Sequence, residues 1–436
     1  MPVISDHLCA SLASQGKWPI CWDEPAPVAS ADMARVYIAT CASRDRMMRR
    51  ALTALAGAGK AGKLRRAVRR YLASSSARTH AFARAFRRKH GPLSKLPDKD
   101  LIAIPLIAAS TSAWRYSGGN PVAIPRPKRD GTSYRYIVQA NVFQFAEELL
   151  AAAAVNAVST PYATQFMSPR TGGRPKFEQW LGENMPTAAR VVTIDIPRCF
   201  ATIRHSSVAD ALPLPGKVMN EVFFKPRART KYLKPALIGP LENKAHHAQA
   251  SSSICGIAEG SALSSVAAEL VLANVLRDVA AVGDAVRVAS HGDNLIVLLA
   301  DATSEGLVRQ VLNASICLHF EANPDELAGR ISSGPASQPF YFCGRWHRWS
   351  EGKLRIKIDP ARKDEFVLRT HIAIEEARAL NVAAARNKRV QRLRRSVLGW
   401  LHQYEGSADL LVEILDLWPL IPAEISTDKA TEGDMK

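Results

Sequence analysis

Two aspartates at the ends of apolar runs are the residues of this chain best suited to chemistry. In VRVASHGDNLIVLL, Asp293 falls at a Gly-Asp turn between two apolar runs, which predicts a β-hairpin with an acid at its tip. Well upstream, VVTIDIPRCF predicts a strand ending in Asp195, with Phe200 five positions later. Two strand-end carboxylates are what a shared divalent-cation site needs, because Mg2+ takes hard oxygen ligands and binds with one or two carboxylates plus substrate oxygens. Between them, GIAEGSALSSVAAELVLANVL predicts a Gly-Ser turn opening an amphipathic helix, with Ser261 as a natural N-cap. The order is strand-Asp, glycine-helix, hairpin-Asp.

Taken together and in this order, these motifs resemble those of the reverse transcriptase family. Asp195 with Phe200 looks like the first palm motif. IAEGSALSS is similar to the second, LPQGxPLSP, with Gly260, Ser261 and Ser264 matching and Glu259, Ala262 and Ser265 departing. The third, YxDD, falls on His291, Gly292, Asp293 and Asn294, so the second aspartate is an asparagine. AIPRPKRDGTSYRYIV looks like the fingers motif and puts Arg135 where the family binds triphosphate. FYFCGRW resembles the primer-gripping motif, and VLGWLHQY a thumb helix of group II intron-type enzymes. The likeness covers residues 100 to 405.

The resemblance implies an α+β right-hand polymerase with fingers, palm and helical thumb, plus a basic helical N-terminal extension. Its implied activity is RNA-directed DNA synthesis by two-metal nucleotidyl transfer, as in bacterial retron, intron or defence-associated enzymes. Asp195, Asp293 and Asn294 would be catalytic. Asp195, Asp293 and the carbonyl of Ile196 would hold Mg2+, or Mn2+ given the lost carboxylate at Asn294. Lys128, Arg129, Arg135, Phe200, Gly260 and Ser261 would meet the nucleotide, with Phe200 excluding a 2′-hydroxyl. Lys225, Arg227, Arg229, Lys231, Phe342, Gly344 and Trp400 would meet nucleic acid. The implied partners are an RNA template, a DNA or RNA primer and deoxynucleoside triphosphates.

Several elements must position these groups. Residues 1–99 read as a basic, mostly helical extension: a lead-in without clear period to about residue 40, then two or three helices from Arg44 to His90 with Asp45 as the one acid. GAGKAGK at 57–63 matches part of a phosphate-binding loop, but ALTAL before it looks helical and Leu64 follows it, so an inter-helix turn is expected. Residues 100–190 would be fingers: an apolar stretch LIAIPLIAAS, two strands around Asp130-Gly131, and the helix NVFQFAEELLAAAAV. The palm would span 191–358 with an insertion at 205–255, where VFFKPRARTKYLK interleaves cations and aromatics in a manner suited to single strands. SQPFYFCGRWHRWSEGKLRIKID predicts two strands around Glu351-Gly352. A helical thumb at 359–418 and a flexible tail at 419–436 would follow.

Composition bounds the function classes. The 436 residues are 47% hydrophobic, which excludes wholesale disorder. A net charge of +18 points to a polyanionic partner, nucleic acid first. Seven cysteines, never spaced as CxxC, read as reduced thiols, and His246-His247 lacks partners at zinc-ligand spacing. With no signal sequence and no long apolar run, a cytoplasmic protein without membrane association is expected. Two competing readings stand beside the enzyme: a non-catalytic nucleic-acid-binding scaffold, for which Asn294 speaks, and an RNA-directed RNA polymerase, for which Gly292-Asp293-Asn294 speaks and Phe200 speaks against.

Overall fold

Helix α1 (Ala31–Gly57) begins where Ser30 accepts a hydrogen bond from the Met33 N–H at 3.3 Å. This is a side-chain N-cap, strengthened by Asp32 in the first turn. The structure is a computed structural model, and the residues described are 28–110, 122–127, 134–167, 172–224, 231–232, 255–379, 389–395 and 397–398. Among the described residues the helical part therefore starts at Ala31, inside the stretch expected to be a loose lead-in; the cap at Ser30 was the overlooked signal.

The described elements continue as α2 (Ala61–Ala73), α3 (Ser75–His90), α4 (Asp98–Ser110), β1 (Val122–Pro127), β2 (Tyr134–Gln139) and α5 (Val142–Val158). After these come α6 (Gly173–Asn184), β3 (Arg190–Asp195), β4 (Lys231–Tyr232), α7 (Ala262–Ala280), β5 (Val286–His291) and β6 (Asn294–Leu299). The remainder is α8 (Glu305–His319), α9 (Pro324–Arg330), β7 (Ser332–Pro335), β8 (Phe340–Phe342), β9 (Arg345–Ser350), β10 (Lys353–Ile358) and α10 (Pro360–Arg378), with shorter helical turns between some of them. The result is a mixed helix and sheet protein. No described helix is long and apolar enough to cross a membrane.

The residues divide into two compact units, each drawn from three segments. The first comprises Met1–Gln165, Asp195–Val282 and Gly306–Arg330. Its N-terminal core joins Ala34 and Ile38 of α1, Phe82 and Ala85 of α3, Leu101 and Ile104 of α4, and Val142 and Ala146 of α5. The apolar run LIAIPLIAAS lies in α4. Between α1 and α2, Gly59 (φ +66°) turns the chain, so GAGKAGK is an inter-helix turn with no strand before it. Asp45 is 3% exposed and is not a stray acid. Tyr71 donates its hydroxyl to it at 2.7 Å, Arg49 donates Nε at 3.0 Å, and His80 Nδ1 lies 2.9 Å away. Burial opposes its ionisation, but His80, Arg49 and Tyr71 together hold its carboxyl below the ordinary value. One residue thereby ties α1, α2 and α3.

The second unit comprises Phe166–Ile194, Gly283–Glu305 and Ile331–Lys436. Its four-stranded sheet has the order β5-β6-β3-β7. In chain order its strands are β3, β5, β6 and β7, so the first strand lies between the third and the fourth. β6 is buried from Leu295 to Leu299 and β3 from Val191 to Ile194, the near-continuous apolar runs expected of central strands. A second sheet, β10-β9-β8, closes on two tight turns. Cys343 (φ 51°) with Gly344 (φ 75°), and Glu351 (φ 54°) with Gly352 (φ 71°), adopt the doubly left-handed geometry that matches strand twist. This region was expected to hold two strands around Glu351-Gly352 and holds three. The extra turn is Cys343-Gly344, where the Gly was read as part of a binding motif.

Candidate functional site

The two aspartates are delivered by one sheet. β5 and β6 pair antiparallel with His291 opposite Asn294, leaving Gly292-Asp293 as a two-residue turn. Gly292 has φ +69°, which suits the first position of a type II′ turn, and a Cβ there would meet Met167 Sδ at 3.1 Å. At the far end of β6, the Ala189 N–H donates to the Leu299 carbonyl at 2.7 Å. The start of β3 thus adjoins the finish of β6, so the two strands run antiparallel. β3 therefore finishes, at Asp195, at the end of the sheet where the hairpin turns. Asp195 is exposed and Asp293 is half-buried. Asn294 donates its side-chain amide to Asp293 Oδ1 at 3.0 Å. Ile196, next to Asp195, is buried.

Within the second unit the hairpin is backed by an aromatic cluster. Phe177 of α6 stacks on Phe342 at 5.0 Å between centroids and meets His291 edge-on at 6.2 Å. Cys343 Sγ approaches the His291 carbonyl at 3.8 Å. The expected primer-gripping turn is thus next to the hairpin. Phe342, however, is 2% exposed and serves as core, so its side chain is no contact surface, and Gly344 is buried too. Arg345, also 2% exposed, donates Nη1 to Glu178 Oε1 at 2.8 Å. Burial and the Arg345 charge push His347 down to about 3, so it is a neutral core histidine. Burial followed by the Arg174 charge also lowers His291.

Within the first unit, the segment after Asp195 is stitched to the segment before α7. The Phe200 carbonyl accepts from the Ile257 N–H at 2.6 Å, and the Ile203 carbonyl from the Gly256 N–H at 2.6 Å. Phe200 is half-buried on the short helix Cys199–Thr202. Ser261 caps α7 as expected, accepting from the Leu263 N–H at 3.3 Å. Gly260 has φ +96°, and a Cβ there would lie 2.8 Å from Ile137 Cγ2 and 3.0 Å from the Val138 carbonyl oxygen. The Val138 N–H donates to the Glu259 carbonyl at 2.7 Å. The β1–β2 ribbon, paired from Val122–Gln139 to Pro127–Tyr134, therefore packs on the glycine turn, which only a residue without a side chain can occupy unstrained.

Glu148 is the residue that sequence reasoning passed over. It lies on α5, 2% exposed, and its Oε2 accepts from the Ala262 N–H at 3.2 Å while Oε1 accepts from Gln144 Nε2 at 2.8 Å. Burial pushes it up to about 7, against the lowering effect of Ser261, Ala262 and Gln144. Its neighbour Glu147 is also pushed up to about 7, by burial foremost. The signal was an acidic pair inside the apolar run FAEELLAAAAV.

Arg135 lies in β2, and Lys231 lies in β4, which pairs parallel to β1. Lys128, Arg129, Lys225, Arg227, Arg229 and Trp400 lie outside the described residues. Among the described residues no set of three His, Cys, Asp or Glu side chains gathers at metal-ligand spacing. The hairpin itself offers the Asp293 carboxylate and the Asn294 amide, hard-oxygen ligands of the kind used by an ion that keeps most of its positions for water and substrate.

No family model matches the sequence, and no curated protein matches it. Among solved structures the chain is similar to the RNA-dependent RNA polymerase of a human picorbirnavirus. The insertion-loop deletion mutant of that enzyme gives 12% identity over 69% of this chain and a TM-score of 0.37. The undeleted enzyme gives 12% identity over 68% of this chain and a TM-score of 0.35. The chain spans 64% of the length of each.

Proposed function

We propose that this chain is a nucleotidyltransferase that copies RNA into DNA, with Asp195 and Asp293 as the acids of its site. The single observation that carries the reading is the sheet order: the strand ending in Asp195 is the antiparallel neighbour of β6, the strand that leaves the Asp293 turn. Strands nearly a hundred residues apart in sequence thereby become neighbours in one sheet.

In this reading the Asp195 and Asp293 carboxylates and the Ile196 carbonyl would hold divalent cations, which when bound would supply charge stabilisation to the attacking and leaving oxygens of an in-line displacement. The chain's own residues do the rest. Gly260 lets the backbone come close to template and nucleotide, and Phe200 fills the space beneath C2′ and disfavours a 2′-hydroxyl. Arg135 offers charge to the triphosphate, whose negative charge grows on the departing pyrophosphate. Asn294 orients Asp293 through its amide.

Primer extension on an RNA template tests the reading. Asp195→Asn and Asp293→Asn should each lower incorporation at least about a hundredfold, the scale on which loss of one transition-state-stabilising group is felt. Salt-sensitive nucleic-acid binding should survive, since it comes from the basic surfaces. Full activity in both variants overturns it. A second reading, RNA synthesis, is favoured by the Asn294 amide, which leaves the turn as Gly-Asp-Asn; preference of the parent protein for ribonucleotides would put it ahead.

A further inference from the structure

We propose that α2 is a clamp for the phosphate backbone of duplex nucleic acid, an interaction surface separate from the sheet-edge acids and independent of whether they catalyse. From Arg46 to Pro97 the sequence carries 15 Lys and Arg and no Asp or Glu. α2 condenses this charge. Its buried side is Ala67, Val68, Tyr71 and Leu72, and the opposite side exposes Lys63, Arg65, Arg66, Arg69 and Arg70. At 3.6 residues per turn, Arg65 stands over Arg69 and Arg66 over Arg70, giving two parallel rows of guanidinium groups about 6 Å apart along the axis.

The chemistry of this face selects the partner. A membrane surface needs a free apolar stripe to enter the headgroup region, but the apolar side of α2 is already buried in the protein. A protein partner's interface is anchored by aromatic and apolar side chains in its centre, and the exposed face of α2 has none. Single strands bind on stacking aromatics, and the one aromatic of this helix, Tyr71, is fully buried with its hydroxyl on Asp45. What remains is a rigid rod of cations without base-reading or stacking groups. That matches the regularly spaced phosphates of a duplex, met without regard to sequence.

The test is binding of the full-length protein to a fluorescent duplex, an RNA–DNA hybrid, over a salt series. Replacing Arg65, Arg66, Arg69 and Arg70 together by Gln keeps good helix formers on the surface. It should reduce the slope of log affinity against log salt by about 3 to 4, one phosphate contact per arginine. The corresponding four-Lys variant should keep the slope. In the unmodified protein, acetylation of Lys63 should fall when duplex is bound, a readout that needs no variant to fold. An unchanged slope in the Gln variant, or Lys63 acetylation indifferent to duplex, overturns the proposal. So does equal loss of single-strand and duplex binding. None of these outcomes depends on incorporation activity, so failure here leaves the reading of Asp195 and Asp293 standing.

Discussion

Asn294 donates its side-chain amide to Oδ1 of Asp293 at 3.0 Å across the start of β6. A neutral donor thus satisfies part of a carboxylate that an aspartate at the same position would repel. The pair is settled without a cation, at the cost of one negative charge for holding one. Asn294→Asp should therefore raise Mg2+-dependent incorporation and narrow any preference for Mn2+. In the absence of metal it should lower Tm, because two adjacent carboxylates then face each other unpaired. Extension assays in both metals, and melting with and without chelator, read the two effects; equal activity and equal Tm in both proteins would discard this account.

Phe200 is held by a backbone hydrogen bond to Ile257, so truncating its ring should leave the chain path in place. Phe200→Ala should admit ribonucleotides, seen as a fall of at least about tenfold in the deoxy-over-ribo ratio of kcat/KM, corresponding to about 1.4 kcal/mol of lost discrimination. The ratio staying constant would return Phe200 to the role of a packing residue.

Gly260 and Gly283 make a matched pair of substitutions. Gly260→Ala places a Cβ 2.8 Å from Ile137 Cγ2 at φ +96°, whereas a Cβ at Gly283 meets nothing within 4 Å. The first should cost about 1 to 3 kcal/mol and lower Tm by several degrees. The second should be close to neutral. Loss at Gly260 should also weaken nucleotide binding, because the β1–β2 ribbon bearing Arg135 rests on that turn.

Glu148 supplies a pH dependence. Its carboxyl is raised from 4.5 to about 7 by burial. Between those values the folded chain holds a proton that the unfolded chain has released, so stability is full at low pH and declines as pH rises toward 7. The protonated acid also suits its neighbour, since Gln144 Oε1 is buried without a partner and a turned Gln144 amide could accept from it. Glu148→Gln should flatten the decline between pH 5 and 8 in chemical denaturation. Glu147, also raised to about 7, should leave a residual slope that Glu147→Gln removes. An undiminished slope in the double variant would show that other groups govern it.

Much of the four-stranded sheet was legible because each of its pieces announces itself locally. LIVLL and VVTI are apolar enough to be central strands, Gly292 marks a tight turn, and Ser261 marks a helix start. The helix at Ala31 escaped because its hydrophobic stripe, Ala34, Ile38, Cys41, is thin and small. The third strand of the C-terminal sheet escaped because Cys343-Gly344 makes a turn as short as the strand before it. Glu148 could not be found from spacing, since what makes it unusual is the α7 amide and the Gln144 side chain that tertiary folding brings to it. Phe342 illustrates the converse. Its motif position suggested contact with a strand of nucleic acid, while the stacking on Phe177 uses it for the core.

Each compact unit is threaded from three stretches of chain, the second from Phe166–Ile194, Gly283–Glu305 and Ile331–Lys436. On a ribosome, β3 emerges long before β6 and β7, the neighbours that flank it in the finished sheet. The nascent polypeptide must therefore carry an unfinished, apolar strand with both edges open while more than a hundred further residues are made. Chains whose contacts close so late fold slowly and stick to one another in the interval. Expression should accordingly be sensitive to chaperone supply and to translation speed. No single cut that removes one end of the polypeptide should yield a soluble fragment corresponding to the second unit.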